Sequence, residues 1–577
     1  MFTSRQLEHI LIGSKSISPQ DFKKYSAAAD KKKQELEEYL VAERIISEEN
    51  LYETAASLFQ LPFVKVKNQP IRKDVLFLVP EPLAQHYQIA ALDTDGDTIL
   101  KIITTDPENL QAFEFLRKKT GKELSVSITT PSNFREIMKQ YHKSLQAEFQ
   151  ELTNIEKRGD GKGEKNLQEL AEDLPIIRIV DTMLEYAIFE GASDIHIEPE
   201  EAAIDIRYRV DGVLKSVMML PKTVQPGVIA RLKVLSNLKL DEHRLPQDGR
   251  FKIQTKDYNI AFRVSIIPTY DGEKIVLRLL NESAQVRSLD QISMQPGPFE
   301  LLKKNIKKPH GMILVTGPTG SGKTTTLYTI LNVLNKPEVN ISTIEDPIEY
   351  RMPHVNQSQV NPKIGYTFAV GLRALLRQDP NIIMVGEIRD TETAEIAVNA
   401  AMTGHLLLST LRTNDAITAI PRLFDMGIPP FLVGSTTNII MAQRLVRKIC
   451  PYCITSYNLD KEALDELMRQ FDLKSILSML IAQGSVTKSV KSFDTLLFYR
   501  GKGCKQCNND GYRGRVGIYE ILEISKELAN AILKKASPDE LTTIARQQEM
   551  ITMVEEGFLK AKAGITSIEE VLRVTQE

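Results

Sequence analysis

The chain has 577 residues, too many for one hydrophobic core, and ordinary domain sizes divide it into roughly three to five folded units. Its 73 Lys+Arg balance 75 Asp+Glu, so net charge gives no reason to expect nucleic acid as substrate. Four cysteines are too few for a disulfide scaffold, and no unbroken apolar run approaches the roughly 18 to 20 residues of a membrane span; the expectation is a cytoplasmic protein that meets a membrane only through a partner.

The first segment repeats itself at an offset of 29 residues: Leu7, Ile10, Leu11, Ile17, Ser18 and Phe22 recur as Leu36, Tyr39, Leu40, Ile46, Ser47 and Leu51. Each copy has an apolar helix face, a break at Ser18 or Ser47 suited to an N-cap, and a second helix, which predicts a tandem helical module over residues 1–70. Residues 71–145 mix short strands, such as one at 98–103, with helices and read as an α+β unit. The run from Lys157 to Lys165 has three glycines and no large apolar residue; that is linker composition and sets a flexible connection at 146–172. From Pro175 a helix with Ile179, Met183 and Tyr186 on one side leads into strand-like segments at 194–197, 204–210 and 260–266, a second α+β domain over 173–290.

Residues 291–440 alternate apolar strands with helices in the manner of a parallel-sheet nucleotide-binding domain. An apolar strand at 312–315 runs into Gly317-Pro318-Thr319-Gly320-Ser321-Gly322-Lys323-Thr324-Thr325, and Leu327, Tyr328, Ile330 and Leu331 continue at helical spacing. The glycines let backbone N–H groups close round nucleotide phosphates, and the helix start adds its positive dipole end. Lys323 is then placed for the outer phosphates and Thr324 for a magnesium ion. Further apolar runs end in polar chemistry: 341–344 leads to Glu345, Asp346 and Glu349, 382–385 leads to Gly386 and Glu387, and 406–408 follows His405. ATP hydrolysis needs magnesium on the outer phosphates, a group to orient the attacking water, and donors for developing charge; the acids are candidates for the first two. Glu387, at the end of an apolar strand, needs a positive partner, and magnesium would supply one. A helix cap or an arginine partner is the plainer reading of any one acid, and a satisfied core imidazole that of His405.

The four cysteines form two pairs, Cys450 with Cys453 and Cys504 with Cys507, on either side of the insert 454–503. Two such pairs imply one tetrahedral thiolate site, the chemistry of structural zinc with no open position for catalysis, with free thiols or a redox pair as the plainer reading. They set a zinc subdomain at 441–515, with a helix expected at 476–481. Capping boxes at Ser537 to Glu540 and Thr566 to Glu569 place helix starts in a C-terminal segment, 516–577.

In order, Gly317 to Thr325, Thr343-Ile344-Glu345-Asp346-Pro347-Ile348-Glu349-Tyr350, Val385-Gly386-Glu387-Ile388-Arg389-Asp390 and Thr403-Gly404-His405-Leu406 resemble the phosphate-loop, acidic-box, magnesium-box and histidine-box motifs of the PilB/GspE family of type IV pilus assembly and type II secretion ATPases. The resemblance implies a multidomain α/β and α+β chain: a RecA-like P-loop core with a parallel sheet, preceded by a PAS-like α+β domain and an N-terminal helical and α+β module, and followed by the tetracysteine zinc subdomain and a helical C-terminus. It implies an ATP hydrolase using ATP, Mg2+ and Zn2+, with Glu349 as general base, Glu345 in reserve and Glu387 beside magnesium. His405 falls in the histidine box, while Arg250, Arg263 and Arg278 match segments from which the family sets arginines against ATP at domain or subunit boundaries. A homohexamer working on an inner-membrane platform protein to extend a pilus is the implied assembly; type II secretion and DNA uptake share the same motor.

The chain departs from the family at Thr410-Leu411-Arg412-Thr413, where a histidine is usual, and at His243 and Leu245, which replace arginines. Arg412 can still donate to a phosphate, with a longer reach. These departures raise a second reading, a nucleotide-gated scaffold with little turnover. The N-terminal module resembles a regulatory domain that binds cyclic di-GMP in some relatives. Its usual Arg-Leu-Gly starts read Gln6-Leu7-Glu8 and Glu35-Leu36-Glu37, which removes attraction for a dianion and predicts no cyclic di-GMP binding.

Overall fold

The computed structural model describes residues 2, 4–14, 17–32, 34, 36–66, 71–79, 84, 87–96, 98–138, 140–141, 173–254, 259–281, 288–507 and 509–576; the linker expected at 146–172 lies outside them. Two compact units divide the chain, one made of 1–210, 214–251 and 263–279, the other of 211–213, 252–262 and 280–577.

The tandem repeat folds into helices Ser4–Gly13, Pro19–Lys32, Leu36–Ala42 and Glu48–Leu58. Both repeat serines act as caps: Ser18 Oγ accepts from the Asp21 N–H at 3.1 Å and Ser47 Oγ from the Asn50 N–H at 3.2 Å. The repeated positions Leu7, Leu11, Leu36, Leu40 and Leu51 share one core. Beyond it β1 (Ile89–Asp95) pairs antiparallel with β2 (Ile99–Thr104), and β3 (Glu123–Ile128) joins β2 in parallel after the helix Leu110–Thr120.

The second α+β domain is a six-stranded sheet of β4 (Asp194–Pro199), β5 (Ala203–Val210), β6 (Val213–Pro221), β7 (Gln247–Gln254), β8 (Asn259–Thr269) and β9 (Gly272–Asn281), in the order β6-β5-β4-β9-β8-β7. In β5 the buried side chains are Ile204, Ile206 and Tyr208, the period of two that one covered face requires. The helix Leu174–Phe189 begins at its proline and buries Ile176, Val180, Met183, Leu184 and Ala187. Ile179, expected on that stripe, is only half-buried.

A seven-stranded sheet contains β10 (Gly311–Thr316), β11 (Ile341–Glu345), β12 (Val355–Gln359), β13 (Ile382–Val385), β14 (Leu406–Leu411) and β15 (Thr437–Ile449). A short hairpin of β16 (Ile454–Asn458) and β17 (Leu497–Gly501) precedes its last strand, β18 (Tyr512–Glu523). The order is β12-β11-β13-β14-β10-β15-β18, parallel except for β18 against β15. β10, β13 and β14 are buried along their whole length, as strands covered by helices on both faces must be.

The expected boundaries at 440/441 and 515/516 are corrected by this sheet, because they cut through β15 and β18. Val446, Val516, Leu541 and Val574 lie in the same core as Leu314 and Val385, so the C-terminal helices complete the core of this sheet rather than trailing from it. The box at Ser537 and Glu540 forms. The second is displaced by one residue: Ser567, not Thr566, caps Ile568–Thr575, while Thr566 Oγ1 donates to the Arg447 carbonyl at 2.7 Å. The insert carries the helix Leu473–Ala482 over the expected 476–481. Among the described residues no helix is long and apolar enough to cross a membrane.

Candidate active site and metal centre

In the parallel register Gly311 pairs with Leu406 and Thr316 with Leu411, while Ile344 pairs with Val385. Gly317, Glu345, Glu387 and Arg412 therefore all emerge at the carboxyl edge of one sheet, where open α/β sheets bind ligands. His405 precedes β14 and stands at the opposite edge, its ring Nδ1 3.1 Å from the Ala400 carbonyl and its own carbonyl accepting the Gly311 N–H. The structure does not bring it to the phosphate loop of its own chain, which corrects the expectation of a catalytic role there.

The loop's shape needs its glycines. Gly317 has φ 142°, and a Cβ there would lie 2.4 Å from the Gln443 carbonyl oxygen; Gly322, at φ 89°, is the N-cap of helix Lys323–Leu334 and offers no side chain to the first N–H groups of that helix. Lys323 Nζ donates to the carbonyls of Gly317 and Pro318 at 2.8 and 2.9 Å. Burial lowers its pKa to about 8, and the nearby Arg412 charge adds to this. Ser321 Oγ is buried without a hydrogen-bond partner among the described residues. A buried hydroxyl awaiting a partner, donors at a helix start and a lysine across the mouth form a set that fits a nucleotide's phosphates. Thr324 opens the helix in the same place.

Behind the loop are residues that the sequence reading missed. Gln443, on β15, donates to the Ser321 carbonyl at 2.7 Å and accepts from Thr326 Oγ1 at 2.8 Å. Thr316 Oγ1 meets the hydroxyl, carbonyl and N–H of Thr413 at 2.6, 2.8 and 2.9 Å, tying the ends of β10 and β14 together. The polar pair Gln443-Arg444 between the apolar stretches 439–442 and 445–446 was the available signal for Gln443; nothing in the spacing marks the threonine pair.

The two strand-end acids differ. Glu387 pairs with Arg389 and, at 3.0 Å, with Arg412 Nε, and these contacts outweigh burial and hold its carboxyl below the usual range. Arg389 and Arg412 thus give Glu387 positive partners of its own, beside the magnesium expected there. Glu345 is 2% exposed and meets no cation among the described residues. It accepts from Thr343 Oγ1 at 2.5 Å, Gln357 Nε2 at 3.2 Å and the Tyr328 hydroxyl; burial still pushes its carboxyl up. All three partners are donors, from β11, β12 and the helix that begins at Lys323. Glu349 lies in the irregular segment after β11, its N–H 3.4 Å from Tyr328 Oη.

Residues 169–573 match the family described as Type II/IV secretion system protein. The chain belongs to that family. A second family, the MshEN domain, matches 59–148. Over 99% of this chain and 98% of the other, it is 37% identical to the type IV pilus assembly ATPase PilB of Myxococcus xanthus. It is 45% identical to the type II secretion system ATPase E of Vibrio cholerae over 72% of this chain and 78% of that one. The solved pilus retraction motor PilT with bound ADP is 27% identical over 69% of this chain and 95% of that one, with a TM-score of 0.46. As a member of this family the chain is a motor ATPase with a RecA-like core.

Family membership leaves the arginines and cysteines to be located. Arg250, Arg263 and Arg278 sit on β7, β8 and β9, exposed, in the first unit; the phosphate loop belongs to the second. Arg278 Nε is held 2.9 Å from Asp194. The cysteine sulfurs lie within 4.8 Å of one another, with Cys450 to Cys504 and Cys453 to Cys507 at 3.8 Å and Cys504 to Cys507 at 3.7 Å. A tetrahedron with Zn–S bonds of about 2.3 Å has edges of about 3.8 Å, so the set fits zinc. Burial pushes the Cys450 thiol up, whereas N–H donation from Cys504 and Gly511 outweighs burial at Cys507 and brings it down. Arg447 braces the centre: it pairs with Asp510 at 3.2 Å and Glu570 at 2.7 Å and lies 4.1 Å over the Tyr512 ring.

Proposed function

We propose that this chain is the cytoplasmic motor of a type IV pilus assembly machine: a homohexamer that hydrolyses ATP and passes the resulting motion to a polytopic inner-membrane platform protein. The match to a pilus assembly ATPase over 99% of this chain and 98% of that one supports pilus extension; type II secretion proteins that match over 89% and 92% of the chain make type II secretion the alternative. Gly317 to Thr325 hold the triphosphate, Lys323 with its outer phosphates and Thr324 with the magnesium ion beside Glu387. That ion, when bound, neutralises phosphate charge. Glu349 orients and deprotonates the attacking water, and Arg250, Arg263 and Arg278 supply charge to the phosphoryl group from a neighbouring copy. Such arginines contribute about 10³ to 10⁵ in rate in other phosphoryl-transfer enzymes. Cys450, Cys453, Cys504 and Cys507 hold structural zinc.

Phosphate release by the purified assembly, compared with Glu349→Gln, tests this reading. Rapid turnover lost in the variant agrees with it; equal, near-zero rates favour the nucleotide-gated scaffold, for which the Arg412–Glu387 pair is the specific support. In the N-terminal module Glu37 is buried and accepts the Phe2 N–H at 2.5 Å and the Tyr52 hydroxyl at 2.7 Å, filling space with an anion. That supports the reading that cyclic di-GMP does not bind, and calorimetry showing micromolar affinity would reverse it.

A further inference from the structure

Tyr328 is fully buried on the helix that begins at Lys323, and its hydroxyl is used three times. It donates to Glu345 Oε2 and accepts from the Glu349 N–H at 3.4 Å and from Gln357 Nε2 at 3.2 Å. A phenol has one proton to give and two lone pairs to share, so nothing is left over. Gln357, on β12, shares its two amide protons among Tyr328 Oη, Glu345 Oε1 and, at 3.1 Å, the Tyr350 carbonyl, and accepts the Met352 N–H at 2.8 Å. The Tyr350 ring stands edge-on to Tyr328 with centroids 4.7 Å apart.

The segment after β11 is thus gripped at Glu349, Tyr350 and Met352 by two side chains that meet at one buried carboxylate. One of those side chains grows from the phosphate-loop helix. We propose that Tyr328 is a positioning residue for hydrolysis: with Glu345 and Gln357 behind it, it fixes the backbone of Glu349 relative to Lys323, and so sets the distance from that carboxylate to the bound phosphates. The inference rests on the reading of Glu349 as the base. It also gives Glu345 a task, since a buried carboxyl group held only by neutral donors keeps its place while those hydrogen bonds are made.

The test uses the full-length protein, with single-turnover ATP cleavage and binding of a fluorescent ATP analogue measured side by side. Tyr328→Phe keeps the ring and removes the hydroxyl; the expected result is a fall in cleavage rate of about 30-fold, since a misplacement near 1 Å costs about 10², with nucleotide affinity within twofold of wild type. Gln357→Leu, which leaves Tyr328 intact, should lower the rate in the same direction by a smaller factor. Glu349→Gln is run in parallel. If it cleaves ATP at the wild-type rate, the base assignment falls. If it is inactive while Tyr328→Phe and Gln357→Leu both cleave normally, the base stands and the positioning role is overturned. Equal losses of rate and affinity, accompanied by a lowered Tm, would also overturn it, because a merely structural tyrosine behaves that way.

Discussion

Midway along β15, Gln443 reaches sideways to hold the phosphate loop; at its carboxyl end the strand runs into Cys450 and the tetracysteine centre. Both sites lie in the second unit. The cysteine centre is specified by its own ligands: four thiol side chains approach the geometry of a closed metal site, and its neighbours Arg447 and Glu570 only brace it. The phosphate loop presents mainly backbone groups, whose directions come from its own glycines and from residues behind it, namely Gln443, Thr316 and Thr413. Side-chain chemistry is local, whereas a backbone cradle is borrowed from its surroundings.

Removing the zinc proposed for the cysteine centre is the strongest way to break that contrast. Structural zinc contributes about 10 kcal/mol or more in small zinc domains. Chelation, or Cys504→Ser, should therefore cost the bound zinc and open residues 441–515 to proteolysis; one zinc per chain lost with an unchanged cleavage pattern would show that the centre holds nothing together. Next in size, Lys323→Ala should lower ATP turnover by about 10³-fold, as loss of a charged contact to the developing phosphate charge does, with the protein still folded by circular dichroism. Turnover within tenfold of wild type would mean that the backbone cradle alone suffices. Gln443→Leu removes a residue that no phosphate meets. It leaves the Ser321 carbonyl and the Thr326 hydroxyl without their partner, and the expected cost is about 1 to 3 kcal/mol in stability, together with weakened ATP binding. Unchanged ATP affinity in this variant would erase the contrast between the two sites.

The same difference explains what could be read from the residues alone. The phosphate loop, the strands that bring Glu345 and Glu387 to one edge, and the cysteine set all follow from local spacing, and the parallel sheet places them together. The fate of each acid did not follow. Glu345 and Glu387 end adjacent strands and look alike in sequence, yet one is surrounded by Thr343, Tyr328 and Gln357 and the other by Arg389 and Arg412. Their partners come from other strands, helices and loops, and no pattern of period two or 3.6 reports such distant neighbours. The boundaries set at 440/441 and 515/516 failed for a related reason: the cysteine motif looks like a domain of its own, while the strands that carry it, β15 and β18, are the edge of the ATPase sheet. His405 shows the converse, a residue placed by motif at the site and by strand direction at the far edge.

The smallest expected effect bears on how far side chains around the cradle act through charge. Lys323 loses its proton near pH 8 because it is buried, because Arg412 repels its charge, and in spite of Glu387. Only the ammonium form attracts phosphate, so nucleotide binding above that pH must bring a proton with it, and affinity should fall by up to about tenfold per pH unit. Below pH 7 the lysine is already charged and the slope should vanish. Calorimetry of ATP-analogue binding in buffers of different ionisation enthalpy reads the proton directly. Arg412→Gln removes the repelling charge and should shift the onset of proton uptake to higher pH, whatever it does to affinity. An onset that stays in place would mean that burial alone sets the lysine's titration and that Arg412 acts on Glu387 only.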